Sequence, residues 1–138
     1  MIKDIVKDEE FLTKESATFI LGEDDHIIQD LIDTANAHRD NCAGLAAVQI
    51  GYHKRVIVVK IGDKFAPFIN PRIIRKYGRP YITSEGCLSV EGSHEVKRYR
   101  GVTVVYEDKK GRSLTRGETG YIAEIIQHEV DHLNGVLI

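Results

Sequence analysis

Several signatures are missing from this chain, and each absence excludes a class of protein. No apolar run approaches the roughly 18–20 residues that cross a bilayer as a helix, so no membrane partner is expected. The first ten residues, from Met1 to Glu10, lack the apolar centre of a secretory signal, and a cytoplasmic location follows as the default expectation. Cysteine is scarce: Cys42 and Cys87 are the only two. They allow one disulfide at most, and in a cytoplasmic chain a free thiol or a metal ligand is the commoner use. No block of lysine and arginine occurs, and the formal net charge is −2, which excludes non-specific nucleic-acid binding. There is no internal repeat, low-complexity tract or Pro/Gly-rich linker. What remains is ordinary: 138 residues, 42% hydrophobic and 29% charged, expected to form one folded domain over residues 1–138.

Residues 1–23 carry few clear periods. Asp24 or Asp25 can cap a helix. Ile27, Ile28, Leu31, Ile32 and Ala35 then recur at helical spacing, which predicts a helix over about 25–39. Small residues dominate from Cys42 to Ala47, so backbone can approach something closely there. Arg55 to Ile61 reads as a strand rich in β-branched residues. Phe68 to Pro71 reads as the end of a short strand, Arg72 to Lys76 as the start of another, and Gly78-Arg79-Pro80 as a turn. Strands are expected over His94–Arg100 and Gly101–Glu107. A hairpin turn at Lys109-Lys110-Gly111 should return the chain through Arg112 to Thr115. A last helix should begin near Glu118–Gly120 and end near Asn134-Gly135, where glycine is a natural stop. The expected class is α+β: antiparallel β-sheets packed around a C-terminal metal-binding helix, with one N-terminal helix.

That last helix carries the strongest signal, His128-Glu129-Val130-Asp131-His132. Histidines four apart on a helix lie one turn above another, so both imidazoles can reach one ion. A glutamate beside the first is the usual general base for a metal-activated water. The same pattern also occurs as a solvated helix face. Helix geometry argues against that here. Ile122, Ile126, Val130 and Leu133 form one apolar stripe, with Glu129 near its middle and the histidines at its edge. A carboxylate aimed at a core is costly unless it is paired or employed. Catalytic sites of this kind usually have three protein ligands. Only six residues follow His132, and none is a usual ligand, so the third is expected upstream, with Cys87 the best candidate. Alone, Cys87 would read as a small buried hydrophobe, and Gln49 as a strand-end side chain bonding backbone.

Three segments together resemble the signature motifs of the peptide deformylase family: Cys42-Ala43-Gly44-Leu45-Ala46-Ala47-Val48-Gln49, then Glu85-Gly86-Cys87-Leu88-Ser89, then Gln127-His128-Glu129-Val130-Asp131-His132-Leu133-Asn134-Gly135. They occur in the family's order, and the similarity runs from about residue 25 onward. The resemblance implies that Cys87, His128 and His132 bind one divalent metal ion and that a water completes its coordination. It implies that Glu129 is the general base and that Gln49 and the Leu88 N–H hold the oxyanion. Gly44, Ala43 and Glu85 are the expected substrate-binding positions. The implied reaction is hydrolysis of the N-formyl group of N-formyl-methionine on new polypeptides, releasing formate. The implied partners are nascent N-formyl-methionyl peptides and, through them, the ribosome. The donor set suits Zn²⁺, Fe²⁺, Co²⁺ or Ni²⁺, and the resemblance implies ferrous iron in the cell.

The chain departs from the family pattern in places. Cys42 replaces the first glycine of the opening motif, and Ala43 stands where a larger aliphatic is common. Glu124 occupies a position often basic or apolar, and residues 91–95 lack the usual proline-and-arginine pattern. Two rival readings stand beside the resemblance. One is a metallopeptidase, which Cys87 and the missing downstream ligand disfavour. The other is a deformylase-like paralogue that binds metal or formyl-peptides with little turnover.

Overall fold

The fold is a computed structural model that describes residues 1–138. Seven strands make two antiparallel sheets. The larger runs β1 (Gly44–Ala46), β2 (Val56–Ile61), β3 (Lys64–Tyr77), β6 (Gly101–Glu107) and β7 (Ser113–Thr119), in that spatial order. The smaller is a ribbon of β4 (Tyr81–Cys87) and β5 (Val90–Arg98). The α+β class and the C-terminal helix agree with the sequence expectation.

β2 explains the layering. It is continuously apolar from Val56 to Val59 because both its faces are buried. Val56 and Val58 pack with Phe65, Ile69 and the helix α2 (Asp25–Ala37), through Ile27, Ile28 and Leu31. Ile57 and Val59 pack with Phe68 and the helix α3 (Gly120–Leu133), through Ala123, Ile126 and Leu133. Period-two alternation thus divides one strand between two cores. Each fully buried valine, isoleucine or phenylalanine in them contributes about 1.5–3 kcal/mol.

Five local expectations need correction. β3 is one strand of 14 residues, not two short ones. Its irregularity is at Asn70, whose φ of 48° and the register shift between Ile69 and Arg72 let Pro71 sit without breaking the ladder. Asn70 secures the bulge by accepting from the Phe19 N–H (2.8 Å) and donating to Glu107 (2.9 Å). β4 was not expected at all, and β5 starts at Val90 rather than His94. The first 23 residues contain a one-turn helix, α1 (Glu9–Leu12), beyond the single N-terminal helix expected. The stripe on α3 is also wider than read: Ile122 is only half-buried, while Gln127, His128, Glu129 and His132 are all buried. The final turn behaves as expected, with Gly135 at φ 76° after Asn134. No helix is long and apolar enough to cross a membrane.

Candidate active site

Three segments distant in sequence meet beside α3. The first follows α2: residues 41–46 run into edge strand β1, then a 3₁₀ turn over Ala47–Ile50 aims Gln49 inward. Gly44 is required there, because a Cβ would lie 2.7 Å from Ile125 Cγ2 and 3.0 Å from Glu129 Oε2. The second is the end of β4, where the register shift between Gly86 and Cys87 turns Cys87 toward the helix. The third is α3, which supplies His128, Glu129 and His132 from successive turns.

One donor atom from each of Cys87, His128 and His132 lies within 4.8 Å of the other two. His132 Nε2 is 3.3 Å from Cys87 Sγ and 3.1 Å from His128 Nε2. Three electron-pair donors converging on one point fit a metal ion. Burial pulls the His128 imidazolium down, but Cys87 and Glu85 outweigh it and hold the ring at about 10. Burial, and then the charge on His128, push His132 down to about 3. His128 Nδ1 meets Glu85 Oε1 at 2.7 Å, which leaves Nε2 for the ion. Glu129 Oε1 is a buried oxygen with no hydrogen-bond partner. Glu129 is 4% exposed, and burial raises its carboxyl to about 7, tempered by the charge on His128.

Gln49 is 1% exposed. Its Oε1 accepts from the Ala46 N–H at 2.9 Å, and its Nε2 donates to Cys87 Sγ and Ser89 Oγ, each at 3.2 Å. Gly44, Ala43, Leu88 and Glu85 all line one cleft of about 490 Å³ that reaches Glu129 and His128. Glu85 does so with its carboxylate already engaged. Arg98 donates to it twice, at 3.0 and 2.7 Å, and to Asp131 at 2.7 Å. The hydrogen bond from His128, and then those from Arg98, hold Glu85 ionised well below the usual carboxylate range despite its burial. Residues 91–95 are exposed on β5 and do not line the cleft. Cys42 lines it but is no ligand: its thiol donates to the Gly44 carbonyl at 3.3 Å, and burial, then the charge of Glu129, push it up to about 12.

Arg98 was not read from the sequence as a site residue. Its signal was indirect: Glu85 and Asp131, two acids inside apolar motifs, need a buried cation. Tyr81, whose hydroxyl donates at 2.9 Å to Glu124 of the cleft lining, carried no signal.

A β-ribbon cysteine meeting a helical histidine pair is a donor set that could hold one metal ion, the arrangement of a metal-dependent hydrolase. The polypeptide deformylase family profile matches residues 2–138. A peptide deformylase of Clostridium beijerinckii is 44% identical over 138 residues, covering both chains completely. The Met-Ala-Ser-bound class I type b peptide deformylase of Acinetobacter baumannii superposes with a TM-score of 0.89 at 30% identity, covering 99% of this chain and 97% of that one. A peptide deformylase of Legionella pneumophila gives 0.89 at 35% identity, covering 99% and 83%. This chain belongs to the peptide deformylase family. It removes the N-formyl group from newly made polypeptides, a metal-dependent hydrolysis that releases formate.

Proposed function

We propose that the deformylation runs on Cys87, His128 and His132 as metal ligands, with Glu129 as the proton carrier. The observation that carries this is the meeting of the three donor atoms beside a buried carboxylate oxygen that nothing else occupies. A divalent ion held there supplies Lewis-acid polarisation of the formyl carbonyl and an acidified water. Glu129 takes the proton of the attacking water at Oε1 and returns it to the departing amine nitrogen. Its carboxyl, raised by burial, suits proton exchange near neutrality. The Leu88 N–H, and the Gln49 Nε2 amide once it exchanges its bond to Ser89 Oγ, donate to the oxyanion as the tetrahedral centre forms. Glu85 is assigned to orienting His128 rather than to gripping the peptide, because Arg98 and His128 already use its oxygens.

The peptide enters as an added strand. β1 pairs only with β2, and β4 only with β5, so each has a free edge, and both line the cleft. Gly44 and Ala43 offer backbone to one side of the peptide, and Gly86 to the other. The A. baumannii relative with bound Met-Ala-Ser supports a peptide ligand here.

Ferrous iron is the proposed cellular metal, the site's nascent-chain substrates emerge at the ribosome, and the cytoplasm is the proposed location. Formate released from formyl-Met-Ala by protein loaded with iron, nickel or zinc tests the proposal. Release of a free amino acid without formate would favour the metallopeptidase reading. Faster loss of activity in air for the iron form than for the nickel form is the expected mark of the redox-active metal with its thiolate ligand.

A further inference from the structure

The charges around the cleft are mostly cancelled inside the fold. Glu85 and Asp131 share Arg98. Glu124 accepts from Tyr81, and burial and the neighbouring Glu85 raise its carboxyl, which weakens its negative charge. On the opposite wall Arg39 and Asp40 are adjacent, opposite in sign and both exposed, so solvent screens them. Lys60 is different. It lines the same cleft, is half-buried, and takes part in none of the molecule's ion pairs.

Its position is also fixed. Lys60 lies on β2, paired with Phe65 of β3, and its N–H donates to the Ala43 carbonyl at 2.8 Å. That bond ties it to the segment Cys42–Gly44 that forms the cleft wall. Its ammonium has no counter-ion within the protein. The cheapest source of one is whatever fills the cleft, which is a peptide.

We propose that Lys60 is a specificity-determining residue of this deformylase, which favours substrates with an acidic side chain at the second or third residue of the peptide, formyl-methionine being the first. The acidic carboxylate ion-pairs with Lys60 Nζ in the peptide-filled cleft. The assignment rests on the deformylase activity and adds a sequence preference to it. The pairing acts on peptide binding, so it appears in KM and leaves kcat nearly alone.

The test uses metal-loaded protein and C-terminally amidated peptides, which remove the competing terminal carboxylate. Formyl-Met-Ala-Asp, formyl-Met-Ala-Asn and formyl-Met-Ala-Lys amides are compared, together with the series carrying the variable residue second. Results are read as ratios within each variant, so a change in overall activity does not mask them. Wild type should show a KM about three- to tenfold lower for Asp than for Asn in at least one series, as a partly screened ion pair allows. Lys60→Gln should abolish that ratio, Lys60→Arg should keep it, and Lys60→Glu should turn the preference toward Lys. Lys64→Gln, an exposed lysine outside the cleft, should keep the wild-type ranking. About 1 M salt should flatten the wild-type ratio. Equal KM for Asp and Asn in wild type, or an Asp preference that survives in Lys60→Gln, overturns the assignment. If no peptide releases formate, the deformylase reading falls with it; turnover without discrimination removes only the role of Lys60.

Discussion

Glu85 Oε1 lies 2.7 Å from Nδ1 of His128, and that contact decides which ring nitrogen of His128 faces Cys87. With Nδ1 engaged by a carboxylate, Nε2 is the nitrogen left to face the other two donor atoms. Glu85→Gln should therefore weaken metal binding by about 10–100-fold, the usual cost of losing such a support. A competition titration with a chelator measures it. Unchanged affinity would mean that the ring is held by packing alone.

Cys87→Ser should lose metal after dialysis and lose turnover with it. A hydroxyl stays protonated where a thiol ionises. Full metal occupancy with normal formate release would remove Cys87 from the ligand set. Cys42→Ala should keep the metal. Because the Cys42 thiol is buried and pushed up to about 12, it stays neutral at ordinary pH. Iodoacetamide at mildly alkaline pH should leave it unlabelled in the folded protein and label it after denaturation, as read by mass spectrometry. Rapid native labelling would contradict its burial.

Glu129→Gln should keep the metal and keep the fold, because the amide nearly matches the carboxylate in size. It cannot carry the proton. Turnover should drop by at least about 10²–10⁴-fold while peptide affinity changes far less. A metal-replete variant with near-normal formate release would make Glu129 a structural residue. Equal inactivity of wild type and variant on several formyl-peptides would point to the binding-only paralogue.

Arg98→Met should destabilise the fold by about 3 kcal/mol, toward the low end for breaking a buried ion pair because Asp131 is a quarter exposed. Glu85 would be left charged and buried with His128 alone. Urea denaturation of the metal-free proteins gives the difference. A loss under about 0.5 kcal/mol would show that the pair contributes little beyond its own desolvation.

Asp24 gives a pH signature away from the metal. Burial raises its carboxyl, but the Ile20 N–H at 2.8 Å and the Lys54 ammonium at 3.1 Å outweigh this and hold it below its ordinary value of 3.8. A carboxyl lowered on folding stabilises fully above its unfolded value and loses that stabilisation as pH falls through the folded one. Asp24→Asn should thus be less stable than wild type at neutral pH, with the gap closing below pH 3.8. Urea midpoints at both ends check it. A gap that stays constant with pH would mean that the aspartate acts only as a turn former.

The sequence was most readable where the determinants are local. Ile27 to Ala35 carried their helical period, Val56 to Val59 their β-branching, and Gly135 its stop, and each lies in the element expected. The proposed metal-binding positions were equally local, a histidine pair on one helix and a cysteine in a short motif. What escaped depends on partners far along the chain. Asn70-Pro71 looks like a strand end, but Phe19 and Glu107 brace the bulge and the strand continues. β4 contains Gly86 and two charged or polar neighbours, and is a strand only because β5 pairs with it along its length. Arg98 serves Glu85 and Asp131 from positions that no periodicity links, so only the buried acids hinted at it.

The two free strand edges that admit a peptide have a second consequence, for the life of the protein at high concentration. An unpaired edge is a template for any extended chain, including another copy of the same protein. Here the exposure is kept short. β1 is three residues long and leads at once into a 3₁₀ turn, and β4 is disrupted at Gly86 and Cys87, where its register slips. Neither edge offers the long flat ladder on which cross-strand stacking propagates. A groove that must stay open to strands of nearly any sequence is thereby kept from growing into a fibril.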